Sequence, residues 1–533
     1  MVRALIARCV ALACVLAGLL LAAPAAQGQS PFEQNGVLFV HGFVGTGGQF
    51  ESQKLRFMSN GYPERWIDTI DYDSTFATES RSQVHARIDA LIADLKQRTG
   101  RPKVDLLGHS LGTSVLQEYL NSSAERAANV AHYVNIDGGQ ADAPPGGVPT
   151  LAIWAGRGQP GRRIAGAANV TLPNQTHVES ATSAEAFREY HKFFTGREPA
   201  HDIVPEAGRI TIAGRVLIFP LNKGALGSTL TIWEVDAGTG QRKGSAALAS
   251  TAIGESGNWG PVTVTAGRHY EFEVTRPGAP AHHHYYEPFV RSDHLVRLLE
   301  SDLLANGAER GPRHAAAVIL RYKELWGDQP GQNDVLSVNG TNICTEVLCP
   351  ISKRVNAFFF SDRKLDGQSD LSQPDPTYNA LPFVTGVDLF APAAIPPAGK
   401  TTVEIRSRGG GPTRAVNLPN FASVTDVATV QLRDFDRTDS GAPCLRPATI
   451  GFKLHRMEGT RVVRVEAFVN GKRKLVRRGR DIRRVELESL VRAGKLAVRV
   501  VATHNTGSRV VSTRSWSGCT KGKPRVRRIP RPR

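Results

Sequence analysis

Cysteine is scarce in this chain: six in 533 residues, at positions 9, 14, 344, 349, 444 and 519. No C-x-x-C knuckle occurs among them, which argues against a zinc site built on the sulfurs. Long apolar runs are also lacking. One lies within the first 30 residues, and no later run approaches the ~20 residues that a membrane-spanning helix needs. Most of the chain has no excess of positive charge. The net charge is +17, but residues 437–533 hold 26 Lys/Arg against 6 Asp/Glu, a balance of +20, so residues 1–436 balance to −3. Electrostatic attraction to a polyanion is therefore a property of the C-terminal stretch alone. An anionic cell wall or membrane is the expected partner there, and nucleic acid is not.

The opening "MVRALIARCVALACVLAGLLLAAPAAQGQS" has a positive start at Arg3 and Arg8, an apolar stretch and a small-residue end. It reads as a secretory signal peptide over residues 1–28, with cleavage after Ala25 or Gly28. The expected location is extracellular, with the basic region as an optional surface anchor. Cys9 and Cys14 leave with the signal. The even remainder reads as two disulfides, and proximity favours Cys344–Cys349 and Cys444–Cys519.

The length implies several domains. Residues 31–197 alternate strand-like runs ("NGVLFVHG", "KVDLLG", "VAHYVNIDGG", "PTLAIWAG") with helical spacing ("ESRSQVHARIDALIADLKQRTG", "SAEAFREYHKFF"). That pattern predicts an α/β domain with a mostly parallel sheet, its chemistry at the carboxyl ends of the strands. From about 198 short alternating strands predict β-sandwich or barrel structure as far as 436, divisible near 281. Two segments there, "DHLVRLLESDLL" and "HAAAVILRYKELWG", read as helices. Residues 437–520 form a further basic, sandwich-like region with a hairpin at Asn470-Gly471. The end, 521–533, reads as a disordered basic tail.

"VDLLGHSLGTS" (104–114) places Ser110 between a predicted strand and a predicted helix, flanked by Gly108 and Gly112. This is the setting of a nucleophile elbow. A serine needs a base, and the base an orienting carboxylate. His177, in the loop "LPNQTHVES", is the expected base. His132 falls inside a strand pattern, and His191 packs among Phe187, Tyr190 and Phe194. Of the carboxylates between Ser110 and His177, Asp137 ends a strand and precedes two glycines, so it is the favoured acid, with Asp142 as runner-up. The backbone N–H groups of Phe43 and Leu111 are the expected oxyanion donors.

These segments, with "GQFESQ", "NGYP", "HHHYYEPFVRSD", "VLSVNGTNICTEVLCPI" and "DRKLDGQSDL", resemble the secreted archaeal (Archaeoglobus-type) lipases of the α/β-hydrolase superfamily over residues 33–436. The resemblance implies hydrolysis of fatty-acyl esters, without metal or cofactor, and a β-rich region that helps bind lipid. Only "DSTFATESRS" stands where that lipase has a lid insertion. His282, His283 and His284 are expected to be structural rather than metal ligands, because consecutive residues rarely point at one centre and no carboxylate spacing supports a site. Tyr285, Tyr286 and Phe289 beside them are the expected acyl-binding surface. The competing readings are a wall-associated binding protein with an inactive hydrolase fold, and an esterase restricted to short soluble or polyester substrates.

Overall fold

A computed structural model describes residues 34–301, 309–436, 438, 448–454, 459–469, 471–490, 495–517 and 525–527. The expected signal peptide, the pair Cys444 and Cys519, Asn470 and most of 521–533 lie outside the described residues.

The run Gly36–Val40 (β1) is buried at all five positions. A strand without a polar face has to be covered on both sides, which is the condition of a parallel sheet between helices. β1 pairs in parallel with Ile67–Ile70 (β2) and Val104–His109 (β3). Val130–Ile136 (β4), Thr150–Ala155 (β5) and Ala168–Leu172 (β6) extend the sheet in the order 2-1-3-4-5-6, every pair parallel. The helices are Glu51–Ser59 (α1), Arg81–Thr99 (α2), Leu111–Ser122 (α3), Ala124–Ala128 (α4), Glu179–Thr182 (α5) and Ala184–Thr195 (α6).

Alternation along β1 divides the core. Val37 and Phe39 face a cluster with Phe57 of α1 and Phe187, Tyr190 and Phe194 of α6. Leu38 and Val40 face Val84, Ile88, Ile92 and Leu95 of α2 and Val115, Leu116 and Tyr119 of α3. The spacing within α2 is what puts those four on one side. Ser80 and Gln83 close a capping box at its start, and Gly100 ends it with φ 68°, as helix-end chemistry requires.

Beyond residue 200 the chain is almost wholly β. A nine-stranded mixed sheet takes strands from 229–286 and from 317–432. One of its faces packs against a sheet containing 209–218, 258–265 and 293–300. The other packs against strands 335–338, 400–406 and 414–419. The described residues between 448 and 527 form separate two- and five-stranded sheets around their own core. Val462–Val469 and Lys472–Arg478 make the expected hairpin around Gly471.

Two expected helices are strands. Asp293–Glu300 pairs in parallel with Arg209–Ile218, and Ala317–Arg321 lies between 426–432 and 357–361. Both are largely covered on their two faces, so their apolar runs are nearly continuous and imitate helical spacing. Cys344 and Cys349 are bonded, with Cα atoms 5.2 Å apart. No helix among the described residues is long and apolar enough to cross a membrane.

Candidate active site

Ser110 sits between the last residue of β3 and the first of α3, with φ 54° and ψ −122°. A non-glycine residue holds that conformation only when its surroundings enforce it. Two glycines allow the enforcement. A Cβ on Gly112 would run into the Val40 carbonyl oxygen, and one on Gly42 would lie 2.8 Å from the Ser110 Cβ. The end of β1, the start of α3 and the loop after β1 are therefore pressed together around the serine. Leu111 opens α3, where backbone N–H groups find no acceptor within the helix. Phe43 follows Gly42 in the adjoining loop and is 44% exposed.

Asp137 follows β4 with φ 45°. Its Oδ2 accepts a 2.6 Å hydrogen bond from His177 Nδ1. Its Oδ1 accepts from the Ala155 N–H at 2.9 Å and from the Arg162 guanidinium. Burial opposes the Asp137 charge, but the His177 hydrogen bond and charge, the Ala155 N–H and Arg162 outweigh it and hold the carboxyl below its usual range. With Nδ1–H committed to Asp137, the lone pair of His177 is on Nε2. Asp142, the alternative acid, is exposed.

Sequence reasoning overlooked His109, although it stands inside the elbow motif. Its Nε2–H donates to the His177 carbonyl at 2.9 Å, and its Nδ1 accepts from Gln49 Nε2 at 2.9 Å. Burial pushes its pKa down to about 3, so it is a neutral strut between the elbow and the histidine loop. Arg162 gave no signal, because nothing in its neighbourhood of sequence marks it as a carboxylate partner. His132 pairs with Asp105 at 2.8 Å, and His191 donates to the Arg197 carbonyl at 3.0 Å. Both are structural, as expected.

The region from His282 to Phe289 departs from expectation. Tyr285, Tyr286 and Phe289 are 1%, 6% and 6% exposed. Tyr285 is packed in one β core, and Tyr286 and Phe289 in another. They do not line the cavity at Ser110. Tyr285 and Tyr286 end the strand Ala281–Tyr286, which is covered on both faces, and Phe289, just beyond it, packs in the same core as Tyr286, so none of the three has a surface to offer an acyl chain. Strand alternation also separates the histidines. His283 turns one way, to Glu271 at 2.6 Å and Asp426 at 2.9 Å. His282 and His284 turn the other way and converge on Glu300 Oε1, at 2.9 and 3.0 Å. A carboxylate remote in sequence thus meets both rings, which the spacing did not anticipate. These three offer ligand atoms within 4.8 Å of one another. Burial and the neighbouring His282 push His284 down to about 4, and Arg276 lies 3.2 Å from the other Glu300 oxygen. The Arg276 guanidinium therefore balances the Glu300 charge.

Ser110 and His177 open into a cavity of about 380 Å³. Phe43, Phe219, Pro220, Leu299, Val318, Leu320, Phe359, Leu381 and Phe383 supply its apolar walls, so most of them come from the β region. "DSTFATESRS" takes no part. Its Asp73 gathers the N–H and hydroxyl groups of Thr75 and Thr78 into a tight loop.

The comparisons with known proteins follow this division. Residues 34–129 match the model of lipase (class 2), residues 208–303 that of the lipase C-terminal domain, and residues 303–436 that of a further C-terminal domain. No curated protein matches at a significant level. Among solved structures, Aspergillus fumigatus lipase B is similar at 13% identity and a TM-score of 0.27, the match covering 33% of this chain and 56% of that lipase. This chain therefore spans just over half of that lipase's length. The lin2722 product of Listeria innocua is 15% identical with a TM-score of 0.17, over 35% of this chain and 72% of that one. Shaft pilin SpaA of Lactobacillus rhamnosus GG is 9% identical with a TM-score of 0.13, over 43% and 98%. The domain assignment rests on the domain models and the architecture on the sheet topology. The chain carries a class 2 lipase domain, matched over residues 34–129, followed by a lipase C-terminal domain and a second C-terminal domain.

Proposed function

We propose that this protein is a serine carboxylic ester hydrolase that cleaves fatty-acyl esters through an acyl-enzyme on Ser110. The observation that carries this is the His177 to Asp137 hydrogen bond beside a strained Ser110, with Ser110 and His177 opening on one apolar cavity. Ser110 Oγ attacks the ester carbonyl carbon and His177 Nε2 takes its proton. The oxyanion is stabilised by the Phe43 and Leu111 N–H groups. Collapse breaks the bond to the alcohol, which leaves with the proton from His177. Water then repeats the sequence and releases the fatty acid.

The cavity sets the acyl preference. Tyr322 reaches the loop after β1, its hydroxyl 3.1 Å from Thr46 Oγ1. Val318 stands four residues earlier on the same run, about 13 Å away at the rise of a strand, beside Thr429 and Phe359. Each methylene buried along that wall contributes ~0.8 kcal/mol, so kcat/KM is expected to rise roughly fourfold per methylene until the cavity is full. A series of p-nitrophenyl esters on purified protein tests this. Val318→Trp should cut the longest productive ester by about 10- to 100-fold and leave the butyrate ester within about twofold. A flat series would favour the short-chain esterase, and no turnover on any ester the inactive binding protein.

A second reading concerns the basic region. Lys472–Arg478 is the edge strand of its sheet, and Lys472, Arg473, Lys474, Arg477 and Arg478 on it are exposed. We propose an anionic wall or membrane as the partner of this face. Binding to anionic vesicles should weaken steeply between low and high salt, since exposed charges are screened beyond about 10 Å at 0.1 M. A chain ending at Asp436 should keep its turnover. That end point matters, because Asp436 pairs with Arg414 and Phe435 packs on Leu55. Salt-independent binding would count against the proposal.

A further inference from the structure

The strand-and-helix domain ends before residue 200, yet the segment that carries His177 is gripped from the second C-terminal domain. Glu324, just past strand Ala317–Arg321, is 0% exposed. Its Oε1 accepts the Val178 N–H at 2.5 Å and its Oε2 the Glu179 N–H at 2.7 Å. These residues follow His177 directly and begin α5, whose cap residue has no side-chain hydrogen bond of its own. The Glu324 loop is itself fixed. Arg408 donates to the Glu324 carbonyl at 2.5 Å, to Asp334 at 2.6 Å and to Glu179 at 2.6 Å, with its guanidinium 3.9 Å above the Trp326 ring. On its other side the His177 carbonyl accepts from His109.

We infer that Glu324 is a positioning residue for His177, so that the second C-terminal domain sets where the base stands relative to Ser110. This rests on the triad reading above. The imidazole is tied to Asp137 through one nitrogen, which leaves its backbone to decide where the other nitrogen points. Two N–H groups on consecutive residues, held by the two oxygens of one buried carboxylate, fix that backbone. Phe383 of the same domain closes the far side, its ring stacked 6.3 Å from His177 at 14°. The hydrolase fold supplies the triad, but its geometry is completed by a segment that has no part in the parallel sheet.

Glu324→Gln keeps size and shape but replaces one acceptor oxygen with an N–H₂ group aimed at an N–H. With p-nitrophenyl butyrate, whose short acyl group does not need the far wall of the cavity, kcat is expected to fall by about 10- to 100-fold, as a base displaced by ~1 Å would cause. KM should stay within about twofold. The acid limb of the pH–rate profile, which reports the base, should shift. Glu324→Asp, which keeps both oxygens on a shorter arm, should recover part of the loss. Folded E324Q, judged by circular dichroism, with the wild-type kcat and pH profile overturns the proposal. If E324Q does not fold, E324D decides: a several-fold loss of kcat at unchanged KM supports it, and a wild-type kcat overturns it. A wild-type enzyme with no turnover and no phosphonylation of Ser110 by a fluorophosphonate would overturn the triad reading, and this proposal with it.

Discussion

Replacing Ser110 or His177 with alanine is expected to reduce ester turnover on the order of 10⁶-fold, or to background, with the fold intact. The two should be equally damaging and no worse together, because in the proposed mechanism nucleophile and base act as one unit. Stability should hardly change at Ser110. Its side chain is only partly buried, and its backbone is constrained by Gly42 and Gly112 rather than by its own hydroxyl. Burst kinetics with a p-nitrophenyl ester check the assignment. The wild type should release about one equivalent of p-nitrophenol rapidly if deacylation is slow, and Ser110→Ala none. Residual turnover of a few per cent in either alanine variant would mean that another group carries the acyl transfer.

Asp137→Asn is expected to cost about 10⁴ in kcat, and the local geometry says why. Two donors, the Ala155 N–H and the Arg162 guanidinium, point at Oδ1. An asparagine there would turn its only acceptor oxygen toward them and present its N–H₂ group to His177 Nδ1. The imidazole would then accept at Nδ1 and carry its proton on Nε2, leaving nothing to deprotonate Ser110. Asp142→Asn, at an exposed site, should keep wild-type turnover. A normal Asp137→Asn protein beside a dead Asp142→Asn protein would move the acid to Asp142.

Much of this was legible in the sequence where a local pattern had only one physical solution. The all-apolar β1, the evenly spaced α2 with its capping residues and the Gly108-His109-Ser110-Leu111-Gly112 turn each state their structure within a dozen residues. Elimination among a few histidines and carboxylates then gave His177 and Asp137, because the loops that bear them end strands of the same sheet. The misreadings share one cause. In the β region both faces of many strands are covered, so "DHLVRLLE" reads as a helix, and the Tyr285 to Phe289 aromatics read as surface when they are core.

What the sequence by itself determined is the α/β domain, the place of the Ser110 turn within it, and the confinement of positive charge to residues 437–533. Each follows from backbone propensity, side-chain periodicity or composition, all of which act locally. Only the tertiary structure decided which residues surround that turn. Glu324 grips the His177 loop, Arg162 and the Ala155 N–H fix Asp137, Glu300 meets two histidines, and Val318, Leu320, Phe359 and Phe383 wall the cavity. These partners are brought together by the burial of whole sheets against one another. That burial depends on the summed apolar area of many residues and leaves no mark at any one position in the chain.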